Sequence, residues 1–248
     1  MLKILSSGLV LLFSAFSLNA MADVVINGTR IVFNAKDKES TVQLKNRGNN
    51  PYLLQIWMDD GNPNAKPGEI TVPFLIAPPV VRIDPAKGQA VRIMATNPSL
   101  PQDRESLFWF NMLEIPPKAQ DSTSGKTHMQ LAFRTRIKLF YRPDNLQPTP
   151  LQSYKELKIY QQGNNIKVVN DSPYYITFSK VEIRRTTGSA VLAAVENFPQ
   201  RMVKPKSEIV FPLANKKSTQ LSGASVFYSV INDYGGETTN EQKLQSSP

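Results

Sequence analysis

The sequence predicts an all-β protein made of two sandwich domains, and three observations predict it. The first is Thr127–Pro143, where Met129, Leu131, Phe133, Thr135, Ile137, Leu139 and Tyr141 fall on alternate positions. Gln130, Ala132, Arg134, Arg136, Lys138, Phe140 and Arg142 lie between them, so a strand here has one apolar face and one mostly basic face. The second is a recurrence of short strand-like runs separated by turn residues, with no long amphipathic helix among them. The third is Arg142-Pro143-Asp144-Asn145-Leu146-Gln147-Pro148-Thr149-Pro150, a short polar stretch with three prolines that reads as a stiff connector between two β series.

The first series runs Val24–Phe33 (broken at Gly28), Thr41–Lys45, Tyr52–Met58, Phe74–Ile83, Ala90–Ala95, Ser106–Ile115 and Met129–Tyr141. Seven such runs with turn signals between them form the pattern of an immunoglobulin-like sandwich. The last run also fits a helix through Met129, Phe133, Ile137 and Tyr141. Leu131, Thr135 and Leu139 would then give that helix a second apolar side, and Gly125 and Pro143 bracket the run as a strand. It is much longer than the usual strand of about 5–6 residues, which suggests that part of it serves another chain. The second series is Leu157–Tyr160, Ile166–Val169, Tyr175–Ile183, Val191–Val195, Glu208–Pro212 and Ala224–Ile231. The polar stretch after Gly236 reads as a frayed tail. The division is thus 1–22, 23–142, a connector 143–150, 151–240 and a tail 241–248.

Residues 1–22 read as an export signal. Lys3 gives a positive start, Ile4–Leu18 is apolar, and Ala20-Met21-Ala22 is a small-x-small cleavage site, so the mature chain is expected to begin at Asp23. The apolar run is short for a membrane span, and no later stretch is apolar enough, so the mature protein is not expected to be membrane-embedded. Roughly 226 residues then remain, enough for two domains with cores of their own. The chain has no cysteine, so an exported protein of this kind relies on packing and hydrogen bonds, without thiol chemistry. The formal charge of +9 is scattered. No nucleic-acid recognition signature accompanies it, so no nucleic-acid partner is expected.

Catalytic and metal-binding patterns fail. His128 is the single histidine and sits beside a Ser/Gly/Thr/Lys loop with no partner nearby in sequence. Asp60, Asn62 and Asn64 have the spacing of a calcium loop, but Ala65 stands where glycine is needed and Thr71 where the final glutamate belongs. No phosphate-binding glycine loop or nucleophile elbow occurs. The expectation is a non-enzyme with neither metal nor cofactor.

What remains is the long strand and two cations set in apolar runs, Arg30 in Thr29-Arg30-Ile31-Val32-Phe33 and Lys138 between Ile137 and Leu139. Such charges either protect an edge or form an anion clamp, and pattern alone leaves both open. Five segments bear on the choice. Thr29–Phe33, Pro101–Asn111 running on to Glu114-Ile115-Pro116-Pro117, Ile137–Pro143, Asn170–Tyr175 and Ile231–Gly236 together resemble the periplasmic pilus-assembly chaperones of the PapD type, in order and across almost all of the mature chain.

The resemblance implies two immunoglobulin-like domains in a boomerang with a cleft at the elbow. It implies a periplasmic chaperone that folds and caps pilus subunits by lending them a strand, the strand-addition mode of recognition, and delivers them to an outer-membrane usher. By match to the family, Met129, Leu131, Phe133, Thr135 and Ile137 belong to the donor strand. Arg30 and Lys138 anchor the subunit's C-terminal carboxylate. Glu105, Arg142 and Asp233 form an interdomain charge triad. Lys138 has the opposite parity to the donor residues, so a bulge or bend after Phe133, or a reach around the elbow, is expected to reconcile them. The free protein also has the option of capping its own strand as a dimer. The alternative is an exported β-sandwich binding module or structural subunit of a surface fibre. Such a subunit should carry a free N-terminal extension and one incomplete sandwich.

Overall fold

The computed structural model describes residues 23–96, 99–118, 130–198, 200–214 and 221–246. The export signal, His128 and Met129 lie outside the described residues. In the first half the strands are β1 Val24–Ile26, β2 Arg30–Asn34, β3 Glu39–Asn46, β4 Tyr52–Asp59, β5 Phe74–Ala77, β6 Val80–Ile83, β7 Gly88–Ala95, β8 Ser106–Ile115 and β9 Phe133–Arg142. They form two sheets, in the orders β1-β3-β7-β5 and β2-β9-β8-β4-β6.

Two sequence breaks decide which sheet a strand joins. Gly28 has φ of 128°, a conformation open to glycine, and there the chain leaves β1 in one sheet to enter β2 in the other. The run Phe74–Ile83, expected as one strand, is two. Pro78 and Pro79 have no N–H to give a ladder, so β5 pairs with β7 and β6 pairs with β4. Alternation does the rest. Val42 and Leu44 on β3, Leu54 and Ile56 on β4, Val91 and Ile93 on β7, Phe110 and Met112 on β8, and Leu139 and Tyr141 on β9 meet in one core.

The connector ends in a short helix that sequence reading did not anticipate, α1 Pro150–Lys155. Proline at its first position suits a helix start, and Gln152 Oε1 accepts the Thr149 main-chain N–H at 3.1 Å. Then come β10 Lys158–Gln162, β11 Asn165–Asn170, β12 Ile176–Arg184, β13 Ala193–Ala194, β14 Met202–Val203, β15 Ser207–Pro212, β16 Ser225–Ile231, β17 Glu237–Lys243 and β18 Gln245–Ser246. The sheets are β15-β11-β10-β18 and β13-β12-β16-β17, with β14 on β12. Their shared core holds Ile159, Ile166, Phe178, Phe211, Val226 and Tyr228. The stretch after Gly236 is no frayed tail. β17 pairs with β16 from Ile231↔Glu237 to Ser225↔Lys243, and β18 reaches β10.

Main-chain and ring contacts join the halves. Glu105 N–H donates to Pro173 O at 2.9 Å, and the Phe140 and Tyr175 rings lie 5.7 Å apart. Gly235, at φ 82°, sits so close to Thr29 that a Cβ there would overlap its Oγ1.

Candidate functional site

β9 is a shared strand. Along β8 it is paired from Phe133 to Tyr141, but parallel β2 covers only Lys138–Arg142. Among the described residues, Phe133–Ile137 therefore has a backbone partner on one edge alone. The other edge presents the N–H and C=O groups of every second residue to whatever lies beside it. Odd-numbered residues point to the core side. Leu139 and Tyr141 fill the core, Ile137 packs against it, and Thr135 is half-buried. Beyond the end of the sandwich the apolar side chains run out of partners, leaving Phe133 44% and Leu131 60% exposed. The strand starts at Phe133, four residues later than the alternation suggested, and Leu131 precedes it. Gln130 Nε2 ties this lead-in to the end of β8 through Pro116 O and Pro117 O, at 3.0 and 2.8 Å.

The bulge expected between Phe133 and Lys138 is not there. Pairing with β8 runs unbroken from Glu114↔Phe133 to Ser106↔Tyr141. Donor-side residues and Lys138 therefore occupy opposite faces of one regular strand.

Arg30 and Lys138 are register partners in the β2–β9 pair. Arg30 donates through an Nη to Ile231 O at 2.8 Å and lies over the Phe140 ring, while its buried Nε has no hydrogen-bond partner among the described residues. Lys138 Nζ reaches Thr177 Oγ1 at 3.4 Å and lies 5.8 Å from the Trp109 ring centre. Burial, and after it the neighbouring Arg30, pushes the Lys138 ammonium down to about 8. Burial also lowers Arg30, with Tyr154, Asp233 and Glu105 acting against it. Two adjacent, partly desolvated cations are suited to an anion, because an anion would relieve both repulsion and desolvation.

Glu105, Arg142 and Asp233 meet. Arg142 Nε donates to Glu105 Oε1 at 2.8 Å, and its two Nη atoms donate to Asp233 at 2.7 and 2.8 Å. Burial opposes the charge on Arg142, but the bonds to Asp233 and the field of Glu105 outweigh it and raise its pKa. Glu105 Oε2 also accepts the Tyr175 main-chain N–H at 2.8 Å. A strand-end residue of one half is thus tied to the turn after β16 and to the entry of β12 in the other.

Sequence reading missed the outer face of β4, β8 and β9. Trp57 lies opposite Asn111, and Asp59 opposite Trp109. Arg134 stacks over Trp57 at 4.8 Å and Arg136 over Trp109 at 4.0 Å. The fully buried Asp59 carboxylate accepts from Arg136, from Asn111 Nδ2 at 2.8 Å and from Gly61 N–H at 2.8 Å, while Arg134 donates to Asn111 Oδ1 at 2.7 Å. This network holds the basic face of β9 down, leaving its other face and open edge presented. The readable signal was the repeated spacing, Trp57-x-Asp59 and Trp109-x-Asn111.

Comparison with known proteins places this geometry. Residues 23–147 match the family described as pili and flagellar-assembly chaperone, PapD N-terminal domain, and residues 152–242 match the pili assembly chaperone PapD, C-terminal domain. The probable fimbrial chaperone YadV of Escherichia coli (strain K12) is 42% identical over 93% of either chain. The YadV crystal structure gives a TM-score of 0.74 at 38% identity, covering 90% of this chain and 100% of that one. The chaperone protein FimB/FhaD of Bordetella pertussis is 40% identical, covering 88% of this chain and 87% of its own. The Salmonella enterica SafB chaperone, solved in complex with the SafA pilin, shares the fold with a TM-score of 0.72 at 24% identity, covering 92% and 99% of the two chains.

Proposed function

Because the chain belongs to the PapD-like pilus-assembly chaperones, we propose that it is exported to the periplasm through removal of residues 1–22 and there captures pilus subunits. It does so by lending them the open half of β9. A subunit sandwich that lacks a strand exposes an apolar groove and an unpaired edge. The free edge of Phe133–Ile137 supplies main-chain bonds, and Met129, Leu131 and Phe133 fill the groove. Burying what Leu131 and Phe133 still expose contributes at most about 1.5–3 kcal/mol each.

Arg30 and Lys138 hold the subunit's C-terminal carboxylate. That anchor fixes alignment more than it adds affinity. A slip of one residue would turn Leu131 and Phe133 out of the groove. The opposite parity of Lys138 then has a use, since the subunit's tail enters from the cleft face while its groove receives the other face. Glu105, Arg142 and Asp233 keep the cleft walls fixed so that both cations stay aimed at one point. The capped subunit passes to an outer-membrane usher, and in its absence a second copy of the chain is able to cover the same open edge.

The observation that carries this reading is that, among the described residues, Phe133–Ile137 is paired on one side only, beside a cleft with two cations in no ion pair. The test is co-expression with neighbouring subunit genes followed by co-purification. Wild type should bring down soluble subunit, and Arg30→Ala and Lys138→Ala should each stay folded and bring down none. Normal complex yield from both variants would refute the clamp.

A further inference from the structure

Glu114 belongs to neither the cleft nor the open strand, yet it is a carboxylate only 1% exposed. It stands near the end of β8, where β1 begins. Its Oε2 accepts the Val24 main-chain N–H at 3.1 Å, whereas its buried Oε1 has no hydrogen-bond partner among the described residues. Burial pushes this carboxyl up, and the nearby Asp23 carboxylate adds to the effect, while the N–H groups of Val24 and Asp23 favour its charge. Among the described residues no ion pair involves Glu114 or Asp23.

Asp23 is gripped from its other sides. Its carbonyl accepts the Arg47 N–H at 2.7 Å, and its carboxylate accepts the Tyr52 hydroxyl, which is pushed up to about 12 by that bond. Gly48 packs against it with no room for a Cβ. Asp23 is therefore held one residue before the Val24 N–H that Glu114 accepts, and its own N–H also favours the Glu114 charge. Two carboxylates and no cation call for a positive donor. The cation of the right size and place is a primary ammonium.

We infer that Glu114 is the binding site for the α-ammonium of Asp23, which comes into being when the peptide bond from Ala22 is hydrolysed. This rests on the reading of residues 1–22 as a removable export signal. Hydrolysis adds water across that bond, leaving a carboxylate on Ala22 and an amine on Asp23 that takes up a proton. A neutral amide with one N–H becomes a cation with three. Before cleavage the Glu114 carboxylate stays unneutralised, so the first domain of the precursor is less stable than that of the processed chain. Removal of the signal thus completes the fold it was attached to.

The test compares the mature chain beginning at Asp23 with the same chain carrying a Gly-Ser extension, each in wild-type and Glu114→Gln backgrounds. The extension should lower the denaturant midpoint in wild type and have no further effect in Glu114→Gln. An extension that is neutral in wild type, or equally costly in both, overturns the inference. A second measurement stands if Glu114→Gln fails to fold. The α-amine of the wild-type chain should titrate above the ordinary value of about 7.7–8.0, and a value at or below it overturns the pairing. Mass spectrometry of the exported protein separates the two readings. A start other than Asp23 removes the signal-cleavage reading, while the extension experiment still reports on the ammonium site.

Discussion

Arg30 and Lys138 stand opposite one another in a parallel strand pair, and each donates a side-chain hydrogen bond into the other domain, Arg30 to Ile231 O and Lys138 to Thr177 Oγ1. Two like charges are held side by side across a domain boundary. The arrangement costs stability in the empty protein, a cost that the proposed carboxylate would offset.

The pH dependence follows from Lys138, whose pKa is depressed to about 8 by burial first and Arg30 second. A bound carboxylate favours the protonated amine. Above about 8 the free amine is neutral and binding must take up a proton, so capture is strongest below that pH and weakens above it, by at most about tenfold per unit. For the fold the sign is reversed. Charged Lys138 is a cost fully present below about 8 that fades as pH rises toward the unfolded value. Lys138→Met should therefore raise the denaturant midpoint of the free chaperone at pH 7 while capture falls. A subunit affinity that is flat from pH 7 to 9 would remove Lys138 from the anchor.

Leu131→Asp and Phe133→Asp should leave the chaperone folded, because both side chains are largely exposed already. Each should reduce capture by about a hundredfold, since a charge enters an apolar groove. Circular dichroism checks the fold and co-purification the capture. Retained capture by either variant takes that residue out of the donor set.

Arg142→Ala strands the buried Glu105 carboxylate and should cost about 3–5 kcal/mol. Replacing the pair together, with Glu105→Gln and Arg142→Met, should cost less than the single change. Denaturant titration of the three proteins decides. A double variant at least as destabilised as the single one would count against coupling between Glu105 and Arg142.

Asp59→Asn should loosen the open half of β9 by releasing Arg136, at a cost of about 1–3 kcal/mol. Hydrogen exchange should speed up at Phe133–Ile137 more than at Leu139–Tyr141. In wild type, burial opposes the Asp59 charge, but Arg136, Asn111 and the Gly61 N–H prevail and hold its pKa below the usual carboxylate range. Its contribution is present above the unfolded value of about 3.9 and is lost as pH falls through the lower folded value. Asp59→Asn should flatten the acid limb of the stability curve. Uniform exchange rates and an unchanged acid limb would count against a positioning role.

Alternation made most of the strands legible, because Val42, Leu44, Val91 and Ile93 announce a half-buried surface two residues at a time. β17 was not legible for the same reason. Glu-Thr-Thr-Asn-Glu-Gln-Lys holds no apolar residue, so an outer strand held by backbone pairing leaves no hydrophobic trace. α1 was hidden by the prolines that start it. Arg30 and Lys138 stood out because a charge interrupts an apolar run. Asp59 and Asn111 did not, since only the pairing of β4 with β8 sets each opposite a tryptophan. Glu114 looked like one more acid near a strand end until the fold laid Val24 against it.

The unbroken ladder of β9 makes that strand a gauge. Lys138 and Phe133 are five residues apart on one straight backbone, about 17 Å at 3.3–3.4 Å per residue. On the proposed anchoring, a client whose last atom reaches the cations would also carry its first empty pocket that far upstream. If the cations are the anchor, a chain with a tail too long or too short by a single step would meet the wrong side of the ruler and be turned away.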